Sequence, residues 1–147
     1  MTSGREDDRF GRFESKFNIE TILDGRGGIF TWVPQEAIRE FNLLYFKPGE
    51  SRGDHYHPEF TEYSLVVEGS GIMVYKDLQN PEKIAAQFHI SRGDCMYTKP
   101  GIAHAVHAIN DLVIVAMLSK PWDDCNSPII HENVSRHLEK KRTEEGK

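Results

Sequence analysis

Every apolar run between Ile19 and Pro128 is short, and most of them stop at a glycine or a proline. "EFNLLYF" ends at Pro48-Gly49, "EYSLVV" at Gly69-Ser70-Gly71, "AAQFHI" at Arg92-Gly93-Asp94 and "CMYT" at Pro100-Gly101. "GIMVYKD" answers "EYSLVV" across a hairpin, "GGIFTWV" is a further strand candidate, and Pro34 to Arg39 reads as a helical turn. "LVIVAML" has no polar interruption and reads as a fully buried strand. No helical period is sustained before residue 128. Short punctuated strands of this kind fold as an antiparallel sandwich or barrel, so the expected class is all-β.

A chain of 147 residues suits one domain. Residues 1–17 are polar and without alternation and are expected to be a flexible arm. Residues 18–127 carry the barrel. Residues 128–147 are expected to hold a short helix, with Ile130, Val134 and Leu138 on one face against the barrel, and a charged tail.

The stretch "GESRGDHYHPEFTEYSLVVEGSG" places His55 and His57 one residue apart, so both rings project to the same side of a strand. Glu62 follows after a bend and shares a face with Ser64 and Val66. A second segment, "GDCMYTKPGIAH", brings His104 in after a Pro-Gly turn. Three imidazoles and a carboxylate form a coordination set for one divalent transition metal: zinc, iron, manganese, nickel or cobalt. Four protein ligands leave octahedral positions open for water or substrate, which is the layout of a reactive site.

These residues resemble the cupin superfamily. Gly49, His55, His57, Glu62 and Gly69 match the first cupin motif, Gly-x5-His-x-His-x4-Glu-x6-Gly, and Gly93, Gly101 and His104 stand in the second. Lys99 replaces a usual proline, and Ala108 stands where an asparagine is common. The resemblance covers about residues 20 to 120 and implies a cupin (jelly-roll) barrel that binds metal through those four side chains.

"DGRGGIFTW" and "KPGESRGDHYH" further resemble segments of the dTDP-4-dehydrorhamnose 3,5-epimerase family and of metal-bearing cupins from bacterial nucleotide-sugar pathways. That resemblance implies that Arg26 and Arg52 bind the nucleotide diphosphate, the first reaching across from a partner subunit. A guanidinium fork suits phosphate, and each arginine abuts a glycine that lets a ligand approach the backbone. The implied chemistry is proton abstraction beside a ketone, an epimerase or ketoisomerase reaction on a 4-keto nucleotide-linked sugar in polysaccharide biosynthesis.

In the metal-free epimerases the histidine at the position of His55 is the base. Here His57 and Glu62 assign His55 to a metal instead, so the base is sought at the barrel mouth: Tyr97, Lys99 or His107. The metal would polarise the carbonyl as a Lewis acid. His107 lies three residues after His104 and so falls on the opposite strand face. Two rival readings stand beside the isomerase: an Fe(II)-dependent dioxygenase acting on a small metabolite, and a non-catalytic sugar- or metabolite-binding cupin.

A formal charge of −5 and the lack of a basic stripe argue against nucleic acid as a partner. No apolar run has the length of a membrane span, and "MTSGREDDRF" does not read as a secretory signal. Cys95 and Cys125 share no metal or redox spacing, so two free thiols in the cytoplasm are expected. The apolar segment Ile29 to Val33 and the arm before it have no obvious role in a closed monomer, and the resemblance implies that they pair with a neighbouring subunit, giving a homodimer whose sites are completed across the interface.

Overall fold

The computed structural model describes residues 10–13 and 22–138. Strands dominate: β1 (Phe10–Phe13), β2 (Ile22–Asp24), β3 (Gly27–Ile29), β4 (Glu40–Phe46), β5 (Ser51–Tyr56) and β6 (Glu62–Glu68) come first. They are followed by β7 (Ser70–Asp77), β8 (Ala86–Ser91), β9 (Cys95–Thr98), β10 (Ile102–Ala108), β11 (Leu112–Leu118) and β12 (Ile130–His131). Two five-stranded antiparallel sheets form, in the orders β1-β9-β6-β11-β4 and β12-β5-β10-β7-β8, with β2 and β3 as a separate hairpin. The fold is the all-β antiparallel sandwich that the punctuated strands imply.

Alternation fixes which face each sheet buries. On the first sheet Glu62, Ser64 and Val66 share the inner face with Leu112, Ile114, Ala116 and Leu118. On the second, Met73 and Val106 point inward to meet them. One end of the sandwich is filled by Phe46, Val66, Met73, Ile90, Met96, Val106, Leu112 and Ile114. This plug leaves the other end to polar side chains.

Some local expectations change. β11 buries only alternate residues, because Val113, Val115 and Met117 are half-exposed on the outer face of their sheet. An unbroken apolar strand therefore covers one core and one outer surface here. Residues 34–39 are irregular, with a bend at Gln35-Glu36, rather than a helical turn, and of "GGIFTWV" only Gly27–Ile29 is strand. Ile130 lies in β12, and helix is described at 135–138 only. Val134 and Leu138 nevertheless pack on Val74, Ala103 and Ala105, the outer side of the second sheet. Within the segment expected to be an arm, Phe10–Phe13 pairs with β9. The rest of that arm, residues 1–9 and 14–17, and the tail beyond residue 138 lie outside the described residues.

Candidate functional site

The polar end of the sandwich is organised by one rung of the second sheet. His131 of β12 pairs with His55 of β5, His55 pairs with His104 of β10, and His104 pairs with Tyr75 of β7. Residues paired across strands share a face, and neighbouring strands lie about 4.8 Å apart. Four side chains thus stand in a row on the inner surface. His57 follows two residues after His55 on the same face. The first sheet answers with its own rung of Thr98, Glu62, Leu118 and Glu40.

The rings of His55, His57 and His104 lie 4.8–5.1 Å apart between centroids. Each offers a ring nitrogen, and these nitrogens all fall within 4.8 Å of one another. His57 and His104 are buried, at 3% and 4% exposure. Their outer nitrogens are fixed by the backbone: His57 Nδ1 donates to the Pro128 carbonyl (3.0 Å) and His104 Nδ1 to the Ile102 carbonyl (2.9 Å). A carbonyl only accepts, so each Nδ1 carries a proton, and in the neutral ring each Nε2 then presents its lone pair. Neither Nε2 has a hydrogen-bond partner. Glu62 Oε1 faces both, 3.6 Å from His57 Nε2 and 3.3 Å from His104 Nε2.

Burial alone would raise the Glu62 carboxyl, but His104 and His57 outweigh it and hold the group well below the usual carboxylate range. His57 is raised, because the facing Glu62 overcomes the downward effect of burial. Burial, with the charges of His104 and His57, pushes His55 down to about 4. Two buried imidazoles with orphaned lone pairs, a third imidazole held neutral and an ionised carboxylate fit a divalent metal. The carbonyl bonds to Nδ1 are the supporting contacts such ligands use.

Arg52 reaches this surface through an irregularity. The β5–β10 register shifts between His104 and Ala105, so His104 pairs with His55 and Ala105 with Gly53, leaving Asp54 as an inserted residue. In a regular strand Arg52 and His55, three apart, would face opposite ways. The bulge restores them to one side: Arg52 pairs with the inward Val106. Gly53 has φ +115°, and a Cβ there would stand 2.6 Å from the His104 carbonyl oxygen.

The loop after β11 closes over the rim. Trp122 N–H donates to Glu40 Oε1 (2.9 Å), Ser127 N–H to Glu59 Oε2 (2.6 Å) and Lys120 Nζ to Glu59 Oε1 (3.0 Å). Trp122 lies edge-on to His57, 6.3 Å between ring centroids, while Phe60 stacks on His57 at 4.4 Å. These rim residues carry no motif, and sequence reasoning missed them.

The other candidates are distributed unevenly. Tyr97 pairs with Tyr63 on the outer face of the first sheet, away from the imidazoles, because it alternates with the inward Met96 and Thr98. His107 is likewise outward, its Nε2 bonded to Ser135 Oγ (2.8 Å). Lys99 sits in the turn at the rim, where Gly101 N–H reaches the His57 carbonyl. Arg26 lies at the tip of the β2–β3 hairpin, paired with Asp24 at 2.9 Å, and its side chain is 92% exposed. A hollow of about 640 Å³ separates that hairpin segment from the outer residues Leu65 and Val67 of β6, so it belongs to the opposite side of the sheet from the imidazoles. Tyr75 and His131, which sequence reasoning passed over, stand in the imidazole row. Their membership depends on pairings between distant strands, which no local pattern reveals.

No curated protein matches the chain by sequence. Among solved structures, the capsular polysaccharide assembling protein CapF of Staphylococcus aureus is similar, with 18% identity and a TM-score of 0.60, over 78% of this chain and 34% of that one. The chain thus spans about a third of the CapF length. The 3,4-ketoisomerase QdtA of Thermoanaerobacterium thermosaccharolyticum, solved with TDP-4-keto-6-deoxyglucose, aligns at 14% identity and a TM-score of 0.65, over 83% and 86% of the two chains. The 3'-monoepimerase ChmJ of Streptomyces bikiniensis, solved with dTDP, aligns at 18% and 0.69, over 84% and 69%. At these identities the likeness establishes the shared fold. Residues 22–126 match the family described as the polysaccharide biosynthesis C-terminal domain, and the chain belongs to that family.

Proposed function

We propose that this protein is a metal-dependent isomerase or epimerase of a 4-keto sugar linked to a nucleoside diphosphate, acting in polysaccharide biosynthesis. The observation that carries the reading is the His131–His55–His104–Tyr75 row beside Glu62 and Arg52, in a sandwich shared with sugar-nucleotide ketoisomerases and epimerases. His55, His57, Glu62 and His104 would hold the metal, which when bound supplies a Lewis acid for the substrate's carbonyl oxygen. Zinc, iron, manganese, nickel and cobalt all accept such a ligand set.

This chain's residues would then divide the work. Arg52 binds the diphosphate from the inner face. His131, exposed at the sheet edge opposite His55, takes the proton from the carbon beside the ketone. Tyr75 gives its phenolic proton to the carbonyl oxygen as the enediol forms and regains one from the neighbouring hydroxyl as the shifted ketone appears. The proton on the exposed His131 exchanges with solvent, and His131 then delivers a solvent-derived proton to carbon, so protons and electrons balance. Arg26, far from the site of its own chain, would serve the site of a second copy in a homodimer.

Incubation with TDP-4-keto-6-deoxyglucose in deuterated water tests this reading. An isomeric product carrying one deuterium on carbon, formed without oxygen, is expected. Oxygen consumption that requires Fe²⁺ would instead support a dioxygenase. Binding of the nucleotide sugar with neither signal would support a sensor.

A further inference from the structure

Asp54 is the inserted residue of the β5 bulge and, among the described residues, the one non-glycine with positive φ (58°). L side chains rarely adopt that conformation, so something must hold it. The C-terminal segment does. Asp54 Oδ1 accepts Ser135 N–H (2.7 Å), Oδ2 accepts the Ser135 hydroxyl (2.9 Å), and the Asp54 carbonyl accepts Glu132 N–H (2.9 Å). Because the Ser135 proton is committed to Asp54, His107 Nε2–H donates to the Ser135 oxygen (2.8 Å). His107 is on β10, the strand against which the bulge is formed. A chain of contacts therefore runs from β10 through Ser135 to the bulge of β5, with Ser135 buried at its centre.

We propose that Asp54 is a positioning residue: gripped by Ser135 and, through it, by His107, it holds the bulge that keeps Arg52 and His55 on one face. The proposal rests on the reading of that face as a diphosphate and metal site. If the grip is lost, β5 can relax toward regular pairing, in which Arg52 turns away from the imidazoles.

The test compares binding of TDP and of Co²⁺ to the full chain, TDP reporting on Arg52 and the Co²⁺ absorption spectrum on the imidazoles. Asp54→Gly keeps the backbone freedom but removes the carboxylate. It is expected to weaken TDP at least tenfold while still binding one Co²⁺ per chain. Asp54→Asn keeps an acceptor for Ser135 N–H and tolerates positive φ, and it should bind TDP within threefold of the parent protein. Ser135→Ala cuts the link to His107 and should weaken TDP by threefold or more. TDP affinity in Asp54→Gly within twofold of the parent overturns the proposal, as does Asp54→Asn binding as weakly as Asp54→Gly. Should Asp54→Gly not fold, an unchanged affinity in Ser135→Ala overturns it equally. A parent protein that binds neither TDP nor Co²⁺ overturns the underlying reading of the face and the positioning role with it.

Discussion

His104 and Tyr75 pair directly across β10 and β7, so an imidazole whose Nε2 faces Glu62 and a phenol stand side by side on one inner surface. Tyr75 is anchored by an edge contact with Phe88, 5.9 Å between ring centroids. A hydroxyl held in this way can pass protons between two oxygens of a bound sugar without moving its ring. Tyr75→Phe is therefore expected to lower kcat by about 10²- to 10⁴-fold with little change in KM, the usual scale for a lost acid–base group. Tyr97→Phe, on the outer face, should leave kcat within about twofold. Equal losses in the two variants would remove Tyr75 from the reaction.

Metal retention follows from the orphaned lone pairs. His57→Ala and His104→Ala each take away a buried donor that the backbone has already oriented. Both variants should purify with less than about a tenth of the parent's metal content by elemental analysis. Binding to the native state alone stabilises by about 2.7 kcal/mol at a hundredfold excess over Kd, so chelation should also lower Tm in the parent but not in the variants. A parent protein with no bound metal and no Tm response to added Zn²⁺ would count against this.

How much of this was legible beforehand depends on the range of the signal. The common face of His55 and His57, and that of Glu62 and Ser64, followed from strand alternation alone, and the inward His104 from its motif. Arg52 is different. Its separation of three from His55 puts the two on opposite faces in any regular strand, and only the Gly53-Asp54 insertion reconciles them. A Gly-Asp step inside a strand is a recognised sign of a bulge, so that signal was present. Tyr75 and His131 had no such sign, because their place in the row is set by register between strands tens of residues apart. Tyr97 failed as a candidate for a parity reason: it alternates with Met96, which the core claims.

The outer face of the first sheet carries Phe41, Leu43 and Tyr45 on β4, exposed at 75%, 66% and 74%. Val113, Val115 and Met117 continue the surface on β11. A contiguous apolar face of this kind is unusual on a monomer. Sedimentation equilibrium at micromolar concentration is expected to give twice the chain mass, and Phe41→Asp combined with Leu43→Asp to give the single-chain mass. If Arg26 completes a neighbour's site, Arg26→Ala should raise KM for the nucleotide sugar while leaving the dimer intact. A parent protein that sediments as a monomer would remove the role given to Arg26.

The thiols should differ in reactivity. Burial, with the neighbouring Asp94 charge, pushes Cys95 up to about 12, so it stays protonated and enclosed at pH 8. Cys125 is raised by burial and by Glu59 but is part-exposed on the rim loop. Reactivity requires a thiolate with access, so the native protein should take up one equivalent of a thiol reagent, at Cys125, and the second only on denaturation. Rapid labelling of Cys95 in the native protein would contradict the burial of β9.

Gly53 offers the sharpest structural test, since space and backbone conformation both exclude a side chain there. Its φ of +115° is one that L side chains rarely adopt, and an added Cβ would meet the His104 carbonyl oxygen at 2.6 Å and Ala105 Cα at 2.7 Å. Both contacts are with backbone, so neither can be relieved by turning a rotamer. Relief requires β5 to move away from β10, which separates His55 from His104. Gly53→Ala should therefore cost about 3 kcal/mol, the upper part of the range for overpacking, and weaken Co²⁺ binding in whatever fraction still folds. At Gly49, also at positive φ (+82°), an added Cβ meets nothing within 4 Å. Gly49→Ala should accordingly show the backbone penalty alone, with Co²⁺ binding retained. Equal Co²⁺ affinity in Gly53→Ala and Gly49→Ala would mean that the close approach of β5 to His104 does not hold the imidazoles together.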